Sequence, residues 1–304
     1  MTTNTVARAW AVVRLGRPIF LLGGVALYGL GALASARRGY GFDLGAFALG
    51  QLAVSSIQLM THYANDYFDY EADKANHTPT RWSGGSRVLV NGELPRAVAL
   101  RAALAAGAVA PLAGLALLLR QPSQFAAVLL LCAMQFLAWS YSGPPLRLHS
   151  RGLGEPTTAL VVPLLTPLAG FVLQAGRFEL HPLVLAAPLA LLQIAMLVTI
   201  EFPDRAGDRS VGKSSWVVLL GPGRAARLIQ ATIAGAFLLA FSSINLGVPV
   251  RAVLPWCALL PLAHRLWFRL ECGDYEQVSA WEGLSFSAVA LFFLAIVAQW
   301  VALL

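Results

Sequence analysis

Two clusters of acidic residues in this chain each follow a long apolar segment and enter a polar loop. The first cluster consists of Asp66, Asp69 and Asp73, and the second consists of Glu201, Asp204 and Asp208. The spacings of three and four residues are the same in both clusters. Carboxylates at the end of a membrane helix are costly to desolvate and are usually functional. The pattern predicts one shared site for a divalent cation and a strongly anionic ligand.

The spacing of the first cluster also indicates which cation it binds. On one helix, Asp66, Asp69 and Asp73 would share a face, with Asn65 at its edge. Like charges on one face repel unless a cation lies among them, and oxygen ligands suit Mg²⁺, which bridges carboxylates to phosphates. A solvated acidic helix end is the alternative, but a polar stripe continues along the same face into the apolar segment. The stripe consists of Gln51, Gln58 and His62.

The composition predicts an all-α integral membrane protein. Of the 304 residues, 58% are hydrophobic and only 12% are charged, and the mean hydropathy is +0.67. Nine apolar segments are long enough to span a bilayer. They cover residues 18–36, 44–64, 96–119, 123–141, 156–175, 181–200, 226–245, 248–268 and 284–303. None shows the strict polar–apolar alternation of a membrane β-barrel.

The basic residues predict the orientation of the chain. Seventeen of the 22 Lys and Arg residues lie in or beside alternate loops on one side. The positive-inside rule then places the N-terminus in the cytoplasm and the C-terminus outside, with both acidic clusters near the cytoplasmic face. We expect the inner, or plasma, membrane of a bacterium. Most of the net charge of +7 is explained by the basic residues that set the membrane orientation. The chain has no basic tail of the kind that binds nucleic acid.

Two loops near the acidic clusters carry groups that could bind an anion. The segment 82–87 combines glycines that free the backbone, serines that donate hydrogen bonds, and an arginine that pairs with phosphate. Its candidate ligands are Ser83 and Arg87, and an ordinary turn remains the alternative. In the loop 141–155, Arg147 and Arg151 could add positive charge, or could serve topology alone.

One further match concerns nucleotide binding. Residues 207–214 satisfy the G-x-x-x-x-G-K-S pattern of a P-loop. That motif needs a preceding strand and an α/β domain, whereas here it follows an apolar helix and Pro203. We therefore do not expect ATP binding, although Lys213 could still contact a phosphate.

These motifs, in this order, resemble the UbiA superfamily of intramembrane prenyltransferases. Asn65, Asp66, Asp69 and Asp73 match its N-D-x-x-D-x-x-x-D motif after span 2, and Asp204 and Asp208 match D-x-x-x-D after span 6. The Arg-Pro pair at residues 17–18, before span 1, resembles the N-terminal Arg-Pro of the family. The resemblance implies nine helices around a central cavity in a single domain, 1–304. The repeated acidic spacing indicates two related halves, about 1–140 and 141–304.

The resemblance also implies a set of site residues. The expected Mg²⁺ ligands are Asn65, Asp66, Asp69, Asp73, Asp204 and Asp208. Arg87, Arg147 and Lys213 would hold a diphosphate, and Ser83, Asn65 and His62 would complete the substrate site. Asp66, Asp69, Asp204, Asp208 and Tyr141 are the expected catalytic residues. Other aromatic side chains available to stabilise an allylic cation are Tyr63, Tyr67, Trp82 and Trp139.

The implied reaction is Mg²⁺-dependent transfer of a prenyl group from a polyprenyl diphosphate to an aromatic acceptor within the bilayer. Residues 83–87 and 152–155 look like the branch that acts on 1,4-dihydroxy-2-naphthoate in menaquinone synthesis. Residues 212–216 depart from that branch, because Gly-Lys-Ser-Ser-Trp stands where relatives more often have Gly-Lys-Arg-Thr-Leu. A terpene cyclase of the same fold is the alternative. An ion-coupled transporter fits less well, because its ion sites would lie near the membrane midplane. No protein partner is inferred.

Overall fold

The computed structural model describes residues 2–246, 248 and 250–304. Within that part of the chain the regular structure is entirely helical, and no residue forms a β-strand. The prediction of an all-α fold is confirmed. The P-loop match at residues 207–214 therefore has no sheet around it, as a nucleotide site of that type would require.

Six α-helices lie in the first half of the chain, and short loops connect most of them. They are α1 Thr2–Leu15, α2 Pro18–Arg37, α3 Leu44–Phe68, α4 Tyr70–Ala75, α5 Arg96–Arg120 and α6 Phe125–Ser142. The loop between α4 and α5 is the longest connection and carries the Gly-rich segment 82–87. Pro18 begins α2, where its missing N–H costs nothing.

The second half contains nine more α-helices. They are α7 Gly154–Leu160, α8 Thr166–Ala175, α9 His181–Ile200, α10 Arg205–Ser210, α11 Trp216–Leu220, α12 Pro222–Ser242, α13 Val250–Cys257, α14 Leu260–Glu271 and α15 Val278–Leu303. A π-helical turn, Val161–Leu165, joins α7 to α8, so the two form one continuous apolar segment.

Eight of the nine predicted membrane segments correspond to helices that are long and apolar enough to span a bilayer. The exception is the predicted segment 248–268, which forms the two shorter helices α13 and α14. Proline explains the interruption. Pro261 lies in the first turn of α14 and has no N–H to donate to the carbonyl of Cys257, so the hydrogen-bond ladder from α13 is interrupted there. Pro111 and Pro188, by contrast, lie within continuous helices.

The helices pack around three apolar clusters of buried side chains. The largest joins α2, α9, α12 and α15, the second joins α3, α6 and α8, and the smallest joins α1, α3 and α5. Large apolar side chains such as Leu22, Leu112 and Leu119 are exposed on the outward faces. Such surfaces would be a liability in water but suit the hydrocarbon core of a bilayer.

Each acidic cluster begins at the end of a long helix and continues into a helix of six residues. The chain leaves α3 at Phe68, bends at Asp69 and forms α4, while α9 ends at Ile200 and a turn leads into α10. The expectation that Asp66, Asp69 and Asp73 lie on one uninterrupted helix is wrong, because the helix breaks at Asp69. The break turns α4 toward α10, and these two short helices pack together.

Gly207 allows α4 and α10 to approach closely. A Cβ atom at this position would lie 2.9 Å from the backbone oxygen of Ala72 and 3.1 Å from the backbone nitrogen of Asn76. Both neighbours are backbone atoms that cannot rotate away. A glycine is therefore required wherever the two acidic clusters are brought together in this way.

Replacing this glycine should destabilise the protein. We expect Gly207→Ala to lower the free energy of unfolding by about 1–3 kcal/mol, because overpacked sites force a backbone shift. Thermal unfolding in detergent measures the effect. The matched control is Gly41→Ala, since a Cβ at Gly41 meets nothing within 4 Å. Equal melting temperatures for the two variants would show that the α4–α10 contact is not tight.

Candidate active site

A lysine ammonium connects the two acidic clusters. Lys213 Nζ lies 3.0 Å from Asp69 Oδ2 and 3.3 Å from Asp208 Oδ1, and all three side chains are buried. Burial opposes the charge on Lys213, but the two carboxylates outweigh burial and raise the pKa of the ammonium. Burial likewise opposes ionisation of Asp69, but Lys213 lowers the pKa of that carboxyl below its usual value. The clusters therefore face one another across an ion pair.

A second cation holds the other end of the first cluster. The guanidinium of Arg17 forms an ion pair with Asp66 and donates a hydrogen bond of 3.0 Å to Asn65 Oδ1. The hydroxyl of Ser86 also donates to Asp66, and its backbone N–H lies 3.2 Å from the same oxygen. Arg17 has a φ of 49°, which is strained for a residue with a side chain. Such strain commonly accompanies functional positions.

Asn65 links three parts of the structure. Its amide nitrogen donates to Asp69 Oδ2 at 2.7 Å and to the hydroxyl of Ser142 on α6 at 3.0 Å, while its oxygen accepts from Arg17. This residue therefore orients the first cluster relative to α6 and to the start of α2. Its carboxamide oxygen remains close enough to Asp66 to share a cation with it.

Two carboxyls of the site lack a counter-charge of their own. Burial and the charges of Asp66 and Asp69 raise the pKa of Asp73 well above its usual value. Burial and the charge of Asp208 raise the pKa of Asp204 to about 7. Asp204 accepts a hydrogen bond of 2.6 Å from Asn76, which follows α4, so this contact also joins the clusters. The site is thus richer in negative charge than its own cations neutralise.

The oxygen ligands of the site suit an Mg²⁺ ion whose coordination is completed by water and by a bound phosphate. Among the described residues, no three acidic, histidine or cysteine side chains are grouped so that they could hold a metal alone. The predicted cage of three carboxylates is therefore not preformed, because Arg17 and Lys213 occupy the space between the charges. Mg²⁺ usually takes one or two carboxylates and completes its shell with waters and substrate phosphates. The paired carboxylates suit that arrangement.

Glu201 pairs with a carboxyl that belongs to neither acidic cluster. It is buried against Glu155, and the two side chains form a carboxyl–carboxylate hydrogen bond when one of them carries a proton. Burial and the neighbouring glutamate raise its pKa well above the usual value. Glu155 accepts a hydrogen bond of 2.5 Å from the backbone of Trp216. The sequence repeat therefore extends to the position of Glu201 but not to its surroundings.

An apolar cavity of about 190 Å³ begins at the first acidic cluster. Arg17, Asn65 and His62 line its polar end. Its walls include Phe20, Trp82, Tyr141, Met196, Phe292 and Phe293. The cavity therefore presents charge at one end and aromatic and aliphatic surface beyond it. An amphipathic ligand with an anionic head is the kind of molecule that such a cavity accommodates.

The aromatic side chains that were expected to stabilise an allylic cation differ in their placement. Trp82 and Tyr141 line the cavity, and Tyr141 stacks on His149 with ring centroids 4.6 Å apart. Tyr63, Tyr67 and Trp139 do not line it. The ring of Tyr67 lies under the guanidinium of Arg96, and the hydroxyl of Tyr63 faces the backbone of α1. Proximity in sequence to the first cluster was therefore a poor guide to which rings face inward.

The predicted phosphate ligands also differ in their placement. Arg87 donates to the backbone oxygen of Asp73 at 2.5 Å, and its φ is 63°. The hydroxyl of Ser83 instead accepts from the backbone of Thr80 at 3.1 Å, so it stabilises the loop and does not reach the carboxylates. Arg147 is exposed and forms no hydrogen bond with the acidic groups that the structure describes. Its φ is 47°, again in the left-handed region.

Several polar residues of the site were not identified from the sequence. Ser86 contacts Asp66, Ser215 donates 3.0 Å to Asp208, and Asn76 contacts Asp204. His149 lies 3.6 Å from Asp69, and burial and Lys213 lower its pKa to about 3, which favours the neutral ring. Ser86 is part of the Gly-rich segment 82–87, which the sequence already indicated as a possible anion-binding loop. The other three become visible only when distant segments meet.

These features describe a helical membrane protein with a charged site at one end of an apolar cavity. A family model described as the UbiA prenyltransferase family matches residues 25–295. The chain belongs to this family. A 1,4-dihydroxy-2-naphthoate octaprenyltransferase of Bacillus subtilis (strain 168) is 24% identical over 200 residues. That match covers 66% of this chain and 61% of the Bacillus protein.

Solved structures of similar fold come from two archaea. A UbiA homolog from Aeropyrum pernix K1 has a TM-score of 0.68 at 20% identity, covering 90% of this chain and 97% of its own. A UbiA homolog from Archaeoglobus fulgidus, bound to DMAPP and Mg²⁺, has a TM-score of 0.63 at 17% identity. It covers 94% of this chain and 99% of its own. The shared fold is therefore close to complete.

The raised pKa of Asp204 predicts a pH dependence of stability in the metal-free protein. The pKa is 3.8 ordinarily and about 7 in the folded site, so ionisation is disfavoured on folding. The contribution of Asp204 to stability is fully present below about pH 4 and is lost as the pH rises through about 7. Asp204→Asn stays neutral and should lose less stability over this range. Melting temperatures in EDTA at pH 5 and pH 8 would measure it.

The control for this pH experiment is Glu71→Gln. Glu71 lies on α4 beside the site, but its side chain is 65% exposed and pairs with Arg96 at the surface. We expect its melting temperature to follow that of the unaltered protein at both pH values. If Asp204→Asn also followed it, the proposed burial of an uncompensated carboxyl would be wrong.

Proposed function

We propose that this protein transfers a prenyl group from a polyprenyl diphosphate to an aromatic acceptor, with Mg²⁺ as the required cation. The observation that carries the proposal is the pairing of two carboxylate clusters through Lys213 at the charged end of an apolar cavity. Family membership supports the reaction class. A relative of the same fold is bound to DMAPP and Mg²⁺, which supports both the diphosphate and the metal.

Each part of the site has a role in this reaction. Asp66, Asp69, Asp73, Asp204 and Asp208, with Asn65, would hold Mg²⁺, and Arg17, Arg87 and Lys213 would bind the diphosphate oxygens. Bound Mg²⁺ supplies neutralisation of the charge that develops on the departing diphosphate. The cavity excludes water from the allylic cation, and the faces of Trp82 and Tyr141 stabilise it. Arg147, which is exposed, would contribute only if its loop moved toward the site.

The acceptor is proposed from similarity and cavity chemistry. The Bacillus subtilis relative acts, by its name, on 1,4-dihydroxy-2-naphthoate. The cavity walls are aromatic, and its polar side chains include Thr157, Thr158 and Gln193. A ring that carries hydroxyl groups could stack on the walls and bond to those side chains. We therefore propose a hydroxylated bicyclic or monocyclic aromatic acceptor, with 1,4-dihydroxy-2-naphthoate as the first candidate.

The proposed location follows from the distribution of basic residues. The charged end of the cavity would open at the cytoplasmic face of the plasma membrane of a bacterium, where soluble Mg²⁺ and diphosphate are accessible. The prenyl chain would extend between the helices toward the bilayer. The equivalent positions of α4 and α10 at the ends of α3 and α9 support two related halves within one domain.

Removal of single carboxylates should abolish turnover without unfolding the protein. We expect Asp66→Asn, Asp69→Asn or Asp204→Asn to reduce the rate at least about 10²-fold, because each removes charge that the metal–diphosphate unit requires. The measurements are the rate of diphosphate release and the Mg²⁺-dependent shift in melting temperature. Glu71→Gln, which removes an outward-facing carboxylate of α4, should leave both unchanged. Near-normal rates in all three site variants would overturn the metal assignment.

The dependence on an acceptor distinguishes transfer from cyclisation. Purified protein in liposomes would receive Mg²⁺ and geranylgeranyl diphosphate, with and without 1,4-dihydroxy-2-naphthoate, and products would be identified by mass spectrometry. We expect a prenylated product only when the acceptor is present. A cyclic hydrocarbon or alcohol formed equally without acceptor would instead assign the protein to the terpene cyclases.

A further inference from the structure

His62 lies where the charged and apolar parts of the cavity meet. It is one helical turn before Asp66 on α3, which corresponds to a rise of about 6 Å along the axis. Its side chain lines the cavity together with Arg17 and Asn65. The reactive carbon of a prenyl diphosphate lies next to the diphosphate. A group one turn further into the cavity is therefore placed beside the new carbon–carbon bond.

The hydrogen bond of His62 fixes its tautomer. Its Nδ1 atom lies 2.7 Å from the backbone oxygen of Gly16. A carbonyl oxygen can only accept, so Nδ1 must carry the proton, and in the neutral ring Nε2 then carries a free lone pair. Within the part of the chain that the structure describes, Nε2 has no hydrogen-bond partner. The contact with Gly16 thus leaves a proton-accepting nitrogen on the opposite side of the ring.

No other cavity residue offers this chemistry. Asp66, Asp69 and Asp208 are paired with Arg17 or Lys213, and among the described residues no aspartate of either cluster lines the cavity. Glu155 and Glu201 do not line the cavity. Its remaining polar side chains are hydroxyls, amides and the indole of Trp82, which are poor proton acceptors. The charged groups nearest to His62 are Arg17 and Asp66, and the edge of Phe20 packs against its ring.

We infer that His62 Nε2 accepts the hydroxyl proton of the aromatic acceptor as the prenyl group is transferred. The inference rests on the proposed function. In this step the bond from the allylic carbon to oxygen breaks, and its electron pair leaves with the diphosphate. A ring carbon of the acceptor bonds to the allylic carbon, the hydroxyl becomes a ring ketone, and its proton moves to Nε2. Loss of CO₂ from the attacked carbon, or of its H⁺ to solvent, restores the aromatic ring with an anionic oxygen, and the proton on Nε2 returns to that oxygen.

The hydrogen bond from Nδ1 to Gly16 makes it possible to remove the basic nitrogen and keep the contact. An asparagine amide can occupy the position of Nδ1 and still donate to Gly16, but it has no basic nitrogen. We therefore expect His62→Asn to fold normally and to lose about 10²–10⁴-fold in the rate of prenyl transfer, which is the usual contribution of a general base. Rates are compared at saturating geranylgeranyl diphosphate, so that a loss of prenyl transfer is distinguished from weaker binding of the diphosphate. His264→Asn, which makes the same replacement at an exposed site on α14, is the matched control.

A second measurement separates proton transfer from a structural role. The acceptors would be 1,4-dihydroxy-2-naphthoate and ring-halogenated analogues with more acidic hydroxyls. If His62 is the proton acceptor, the rate ratio between unaltered protein and His62→Asn should shrink as the hydroxyl becomes more acidic. A constant ratio, or full activity of His62→Asn, would overturn the inference while leaving prenyl transfer intact. If the unaltered protein prenylates none of these acceptors but still releases diphosphate, the proposed function fails as well.

Discussion

The structure depends on how the negative charge of the two buried acidic clusters is neutralised, because water reaches these carboxylates poorly. Five aspartates meet where α3 and α9 leave the apolar region, and ionised carboxylates in such surroundings are stable only when paired. Arg17 and Lys213 provide that pairing in the protein alone. The other local features follow from it: the strained backbone at Arg17, the close contact of α4 with α10 through Gly207, and the amide bridges of Asn65 and Asn76.

The sequence predicted the parts of this arrangement that depend on composition and on repeated spacing. Apolar segments identified eight long helices, and the matching spacing of the two acidic clusters indicated one common site. The interruption of segment 248–268 was not predicted, because hydropathy averages over Pro255 and Pro261 while helix geometry does not. The break at Asp69 was missed for a similar reason. Helical spacing was assumed to continue beyond the end of α3.

Contacts between distant segments explain the remaining differences. Tyr63 and Tyr67 are close to the carboxylates in sequence but face α1 and Arg96, whereas Phe292 and Phe293 come from the last helix and line the cavity. Ser83 and Ser86 occupy one short motif, yet only Ser86 reaches Asp66. Helical periodicity and sequence motifs determine which residues can lie near one another. The packing of helices decides which of them do, and one sequence without its relatives carries little information on that choice.

The same compensation explains how a site of this kind can bind and release a charged substrate. A preformed cage of carboxylates would hold Mg²⁺ in the absence of substrate, or would repel the diphosphate. Here the protein's own cations neutralise Asp66, Asp69 and Asp208. In the proposed reaction Arg17 and Lys213 would turn from these carboxylates to the oxygens of a metal-bound diphosphate, so that few buried charges would lose a partner. In the proposed reaction the uncompensated Asp73 and Asp204 would attract the metal, and their charge is greatest when the pH exceeds their raised pKa values.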